Sequence, residues 1–257
     1  MKNLTHKITG TGPALVFLHG FCETKEIWNV CHAKLSDKYT IISLDLCADI
    51  PIESIEKPSM ESMAESVHST ALALGIDSYL LVGHSMGGYV ALALAQKYPA
   101  VISGLCMFHS TAYADSEEKK MQRSKTIAYL HEHGVEAFIR PFVPQLFYPQ
   151  NRKKCELAIA QLIEMGCKVP LPVIAACAVA MRDRPNRTEV LVQAAYPVLF
   201  IIGKNDGAVK PEDALAQAQL PAESYVQLLS ETAHQGIFEK KTETISMLRA
   251  FGDVVYR

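Results

Sequence analysis

Tyr79-Leu-Leu-Val-Gly-His-Ser-Met-Gly-Gly-Tyr-Val90 is the stretch on which the fold reading turns. Its first four residues are continuously apolar, as a strand covered on both faces must be. Gly83-His84-Ser85-Met86-Gly87 follows, and an apolar helical pattern then runs through Ala91-Leu-Ala-Leu-Ala95 to Lys97, stopped by Pro99. A G-x-S-x-G pentapeptide alone is weakly specific, but between a strand and a helix it places its serine on a sharp turn. Such a turn strains the serine backbone and brings the positions two before and two after it close together, which glycine tolerates because it has no Cβ. Gly83 and Gly87 hold those positions, and Gly88 follows.

The same alternation extends outward in both directions. Leu15–Leu18, Thr40–Leu44, Leu105–Phe108, Val198–Ile202 and Tyr225–Leu228 read as further strands, mostly without polar interruption. Met60, Met63, Ala64, Val67, Ala71 and Leu74 recur at three- and four-residue steps, an amphipathic helix ending at Gly75, and a last helix covers roughly 236–251. Strands alternating with helices predict an α/β protein with a mostly parallel central sheet and helices on both faces. From Tyr113 to Arg184 no strand is evident, only helical patterning broken by prolines at 141, 144, 149, 170 and 172. Residues 1–112 and 185–257 are therefore expected to form the core, and 113–184 a helical cap over the strand ends, where open α/β sheets hold ligands.

A serine hydroxyl needs a base within hydrogen-bonding reach to become a nucleophile, and histidine is the usual base near neutral pH. Of nine histidines, His234 is the sole one beyond His133, and it follows the last strand. His19, His84 and His109 lie near strand ends, where structural or pocket roles are expected. His131-x-His133 is too little for zinc, which takes three or four protein ligands. A carboxylate must fix the imidazole tautomer; Asp206, just beyond Val198–Ile202, has the required setting, whereas Asp183, Glu189, Glu231 and Asp115 do not. Developing negative charge calls for backbone donors. Met86 N–H at a helix start and Phe21 N–H in the loop His19-Gly20-Phe21-Cys22 are placed to supply them. Cys22 has no base or orienting group assigned to it and reads as a small buried thiol.

Composition narrows the partners. With 25 Lys and Arg against 27 Asp and Glu, the net charge of −2 gives no basis for nucleic-acid binding. The N-terminus lacks a signal-like apolar segment, and the longest apolar run, Val173–Met181, is too short to span a bilayer. Seven scattered cysteines without CxxC pairs read as reduced thiols. The expectation is a cytoplasmic monomer or homodimer acting on a small molecule, with no membrane, metal or organic cofactor involved.

Leu18-His19-Gly20, Gly83-His84-Ser85-Met86-Gly87-Gly88, Pro197–Gly203 with Asp206, and His234 together resemble the α/β-hydrolase superfamily, in particular its small esterase, lactonase and C–C hydrolase branch. The resemblance spans nearly the whole chain. It implies the α/β-hydrolase fold with a cap after the sixth strand, Ser85 as nucleophile, His234 as base, Asp206 as its orienter, and Phe21 and Met86 as oxyanion donors. It also implies a small acyl substrate, cleaved as an ester, thioester or lactone. Two alternatives stand beside this: C–C hydrolysis or a lyase step like that of menaquinone synthesis with the same triad, and a non-catalytic ligand-binding relative. Ser85 argues against dehalogenases and epoxide hydrolases of this fold, whose nucleophile is an aspartate. One departure is Asp45-Leu-Cys-Ala-Asp-Ile50, where many relatives have Asp-Leu-Pro-Gly-x-Gly. In the cap region Arg123, Arg140 and Arg182, with Arg184 and Arg187 just beyond it, are candidates to hold a substrate carboxylate.

Overall fold

The apolar runs become the strands of one sheet in the computed structural model, which describes residues 3–46 and 59–257. The strands are β1 (His6–Thr9), β2 (Ala14–Leu18), β3 (Thr40–Leu44), β4 (Tyr79–His84), β5 (Ile102–Phe108), β6 (Val198–Gly203) and β7 (Ser224–Leu229). Their order is β1-β3-β2-β4-β5-β6-β7, with β1 antiparallel to β3 and every other pairing parallel. β4 thus lies in the interior of the sheet, and its C-terminal end carries Ser85.

Side-chain alternation splits the core between the two faces. Val16, Leu18, Leu81, Met107 and Phe200 enter one cluster; Phe17, Leu80, Val82, Phe108 and Ile201 enter the other. Burying each such side chain contributes about 1.5–3 kcal/mol. Helices α1 (Asn29–Leu35), α2 (Met60–Ala73) and α3 (Met86–Lys97) precede or connect the early strands. Between β5 and β6, after the fifth strand of this chain rather than the sixth, come α4 (Glu117–Gln145), α5 (Glu156–Cys167), α6 (Leu171–Asp183) and α7 (Thr188–Val192); after β6 come α8 (Pro211–Gln217), α9 (Gly236–Glu239) and α10 (Lys241–Val255).

Some sequence expectations change. β1 was not anticipated, because its four residues alternate between exposed and half-buried, as suits a short sheet edge. β5 starts at Ile102 rather than Leu105, and a register shift at Tyr79/Leu80 takes up one extra residue, Ser103. The terminal helix breaks at Lys240 (φ −133°, ψ 52°) and runs on to Val255. α4 is broken at Gly134 (φ 83°, ψ 172°), a conformation essentially restricted to glycine. The departure segment Asp45–Ile50 lies outside the described residues beyond Leu46. Among the described residues no single helix is long and apolar enough to cross a membrane; α5 and α6 pass that test only as a pair bent by 101°.

Candidate active site

The turn after β4 forces Ser85 to φ 51°, ψ −114°, a strained geometry for a residue with a side chain. The flanking glycines make it possible. A Cβ on Gly83 would stand 2.5 Å from Gly88 N, and one on Gly87 would stand 2.4 Å from the Leu18 carbonyl oxygen. The Ser85 N–H donates to Phe108 O at 2.9 Å, and Ser110 Oγ donates to Ser85 O at 2.7 Å, so β5 locks the turn. Ser85 itself is half-buried among fully buried neighbours.

Asp206 follows β6, and His234 lies in the loop after β7. The two meet across this gap: His234 Nδ1 is 2.7 Å from Asp206 Oδ2. An ionised carboxylate only accepts, so Nδ1 carries the proton of this bond. Asp206 Oδ2 also accepts from His109 Nδ1 at 3.2 Å, while Oδ1 accepts the N–H groups of Ala208 (2.8 Å) and Val209 (3.0 Å). Burial by itself would raise the Asp206 carboxyl, but the His234 charge and the imidazole hydrogen bonds hold it well below the usual carboxylate range. Burial pushes His109 down to about 4, so this ring is neutral at neutral pH and donates through Nδ1. His109, Asp206 and His234 offer three ligand atoms within 4.8 Å, the composition of a metal site. The 2.7 Å spacing is nonetheless a hydrogen bond, shorter than the roughly 3.3 Å expected between two ligands at about 2.0 Å from a tetrahedral ion.

Ser85 and His234 line one cavity of about 500 Å³, bordered also by Phe21, Tyr89 and residues of α4 and α6. Among the described residues no hydrogen bond joins the Ser85 hydroxyl to the His234 ring; such contacts are often long without substrate and tighten with it. The Phe21 and Met86 N–H groups donate to no loop or turn carbonyl among the described residues. The segment between β5 and β6 meets the His234 loop directly, because His234 N–H donates to Leu146 O at 2.9 Å.

Behind the turn lies a polar group that sequence reasoning missed. Glu23 is 6% exposed; its Oε2 accepts from Gly20 N–H (2.7 Å) and His84 Nδ1 (2.9 Å), and its Oε1 accepts from Gln235 Nε2 (2.8 Å). The other His84 nitrogen, Nε2, faces the His234 carbonyl at 3.0 Å. Two acceptors on one ring require a proton on each nitrogen, so His84 is an imidazolium paired with the Glu23 carboxylate. Burial opposes both charges. The His84 charge nevertheless holds Glu23 down to about 2, and Glu23 raises His84 above its ordinary value. One ion pair therefore ties together the Gly20 loop, the Ser85 turn and the His234 loop. The available signal was proximity alone: Glu23 and Gln235 stand beside predicted site residues. His19 has a structural role, with Nδ1 donating to Gly20 O (2.8 Å) and Nε2 accepting Leu46 N–H (2.9 Å). Cys22 is buried.

The arginine candidates separate. Arg123 lines the cavity. Arg140 pairs with Glu136, Arg182 with Asp183, Arg184 with Asp115 and Arg187 with Glu61, and none of these four borders the cavity.

Comparison with known proteins agrees with this architecture. Residues 13–126 match a family model described as alpha/beta hydrolase fold. A thermophilic esterase from Thermogutta terrifontis superposes with a TM-score of 0.92 at 27% identity, over 99% of this chain and 94% of that one. The enol-lactonase of Burkholderia xenovorans LB400 gives 0.87 at 19% identity, over 96% and 95%. In sequence, the chain is 24% identical over 211 residues to 2-(acetamidomethylene)succinate hydrolase of Mesorhizobium japonicum, covering 78% of this chain and 73% of that protein. It is 32% identical over 105 residues to an uncharacterized protein of Mycobacterium tuberculosis, and that match spans 39% of this chain and only 30% of the relative's length.

Proposed function

Because the chain belongs to the α/β-hydrolase superfamily, we propose that it is a serine hydrolase cleaving a small carboxylic ester, thioester or lactone through an acyl-Ser85 intermediate. The observation that carries this reading is the shared cavity: Ser85 on its strained turn and His234, oriented by Asp206, face the same space.

In the proposed reaction Ser85 Oγ attacks the scissile carbonyl carbon while its proton passes to His234 Nε2. The carbonyl oxygen becomes an oxyanion that accepts from the Phe21 and Met86 N–H groups, the latter at the N-terminus of α3 where the helix dipole favours negative charge. Collapse of the intermediate breaks the bond to the leaving oxygen or sulfur, which takes the proton back from the imidazolium. Water then attacks the acyl-serine with His234 again as base, releasing the carboxylic acid and restoring Ser85. Asp206 holds the productive tautomer throughout. The segment 113–184 acts as the lid of this site, supported by the cavity residues that α4 and α6 provide.

Stopped-flow release of p-nitrophenol from p-nitrophenyl butyrate tests the reading. A burst equal to the enzyme concentration is expected for wild type, with at least a 10³-fold loss of turnover in Ser85→Ala. A fluorophosphonate should label Ser85 in the folded wild-type protein. Undiminished hydrolysis by Ser85→Ala would end the proposal.

A further inference from the structure

The cavity over Ser85 has two unlike walls, both built largely by α4. Before the break at Gly134, α4 contributes Lys119, Gln122, Arg123 and Thr126; after it, the same helix contributes Phe138, Phe142 and Gln145, with Leu146 just past its end. Phe138 and Phe142 stack at 4.9 Å, and both rings meet Phe21 edge-on at 6.3 Å. The polar wall is cationic. Asp115 is the carboxylate next to it, yet it faces two guanidinium groups, Arg123 Nε at 2.9 Å and Arg184 Nη2 at 2.8 Å. Lys119 adds a third cation at the rim, where Nζ donates to Ala208 O at 3.3 Å.

Among the described residues nothing lining the cavity offsets this excess. The one carboxylate along it among the described residues, Glu23, is fully engaged by His84, Gly20 and Gln235. Among the described residues Arg123 hydrogen-bonds to protein only through Nε, which leaves its two terminal Nη groups for another acceptor. A guanidinium fixed at Nε by a buried carboxylate presents its remaining N–H donors in a set plane, which suits a second carboxylate. The neighbouring arginines are spent on protein carboxylates away from the cavity.

From this polarity we infer that the substrate is an ester carrying a free carboxylate, which binds Arg123 with Lys119 at the rim while its apolar portion lies against Phe21, Phe138 and Phe142. The inference rests on the reading of Ser85 as nucleophile, and it specifies which acyl compounds that serine meets.

The test compares mono-p-nitrophenyl adipate with p-nitrophenyl hexanoate, equal in chain length and differing in a terminal carboxylate. Wild type should favour the adipate in kcat/KM, and raising ionic strength should shrink that preference. In Lys119→Gln/Arg123→Gln the adipate-to-hexanoate ratio should fall at least tenfold. A ratio unchanged in the double variant overturns the inference, as does a wild-type preference for hexanoate. Calorimetric titration of monomethyl adipate into Ser85→Ala separates this from failure of the nucleophile reading. Binding there that is lost when Arg123→Gln is added supports the carboxylate site even if neither nitrophenyl ester is turned over; no binding, or binding indifferent to Arg123, overturns it.

Discussion

Asp206 has donors on both oxygens, two from backbone N–H groups on Oδ1 and two from imidazoles on Oδ2. A carboxylate so saturated cannot swing away, and its orientation fixes that of His234. His109 occupies the second imidazole place with φ 48°, a region in which asparagine is also tolerated. His109→Asn keeps the backbone and shortens the donor, so kcat for an ester should fall roughly tenfold while KM stays within about twofold; the expectation is a loss of alignment worth about 1.4 kcal/mol. Unchanged kcat would mean that His109 only fills space. Glu23 makes a stronger case. In Glu23→Gln the side chain no longer sustains the His84 imidazolium, and a neutral His84 can donate to position 23 or to the His234 carbonyl but not to both. One buried group, the His234 carbonyl or the Gly20 N–H according to which way the new amide turns, is then left bare, which costs about 1–3 kcal/mol. Urea unfolding should show this loss together with a lower kcat, because the Gly20 loop and the His234 loop share that tie. A variant as stable and as active as wild type would contradict the role assigned to the pair.

At the scale of elements, the sequence carries the parallel strands well because burial on both faces leaves them uninterrupted, and the run ending in Val82 announces its turn by two glycines. β1 escapes notice because an edge strand of four residues needs no apolar run. Ser85, Asp206 and His234 are legible because each follows a recognisable strand. Glu23 is not, since a single acid in a loop looks the same whether it is solvated or buried on an imidazole. The two-sided cavity is also hidden, because it depends on the direction α4 takes after Gly134, and a helical pattern reads straight through a lone glycine. That break yields its own prediction. A Cβ at Gly134 would meet nothing within 4 Å, so Gly134→Ala introduces no clash with neighbouring elements and its cost is purely conformational. If α4 stays broken, stability falls by about 1–3 kcal/mol. If it instead straightens, the Phe138 and Phe142 wall departs from Ser85 and KM for apolar esters rises. Urea midpoints and ester KM values measured together distinguish these outcomes, and a variant unchanged in both would show that the bend does not depend on glycine.

Across the whole molecule, the histidines set a stability profile whose sign follows from their shifts. Burial lowers His19, His32 and His109 from 6.5, the last two to about 4, so below pH 6.5 the unfolded chain binds protons that the folded one refuses. Stability therefore falls with acid, at up to 1.4 kcal/mol per pH unit for each such group, or about 3 kcal/mol for His109 alone by pH 4. His84 acts in the opposite sense. Its raised value means that folding takes up a proton above pH 6.5, so its contribution is complete below that pH and is lost as pH rises through the folded value. Glu23, held down to about 2 from 4.5, contributes fully above pH 4.5 and weakens below it. The melting temperature should peak near pH 6.5, with an acid arm built on three histidines steeper than an alkaline arm built on one. His84→Gln should flatten the alkaline arm between pH 6.5 and 8 and leave most of the slope between pH 5 and 6.5 in place, because burial, the largest cause, still lowers His19, His32 and His109. Thermal unfolding followed across pH 4.5–8.5 decides this. An alkaline arm just as steep in His84→Gln would show that the Glu23–His84 pair is not what couples protonation to folding above neutrality.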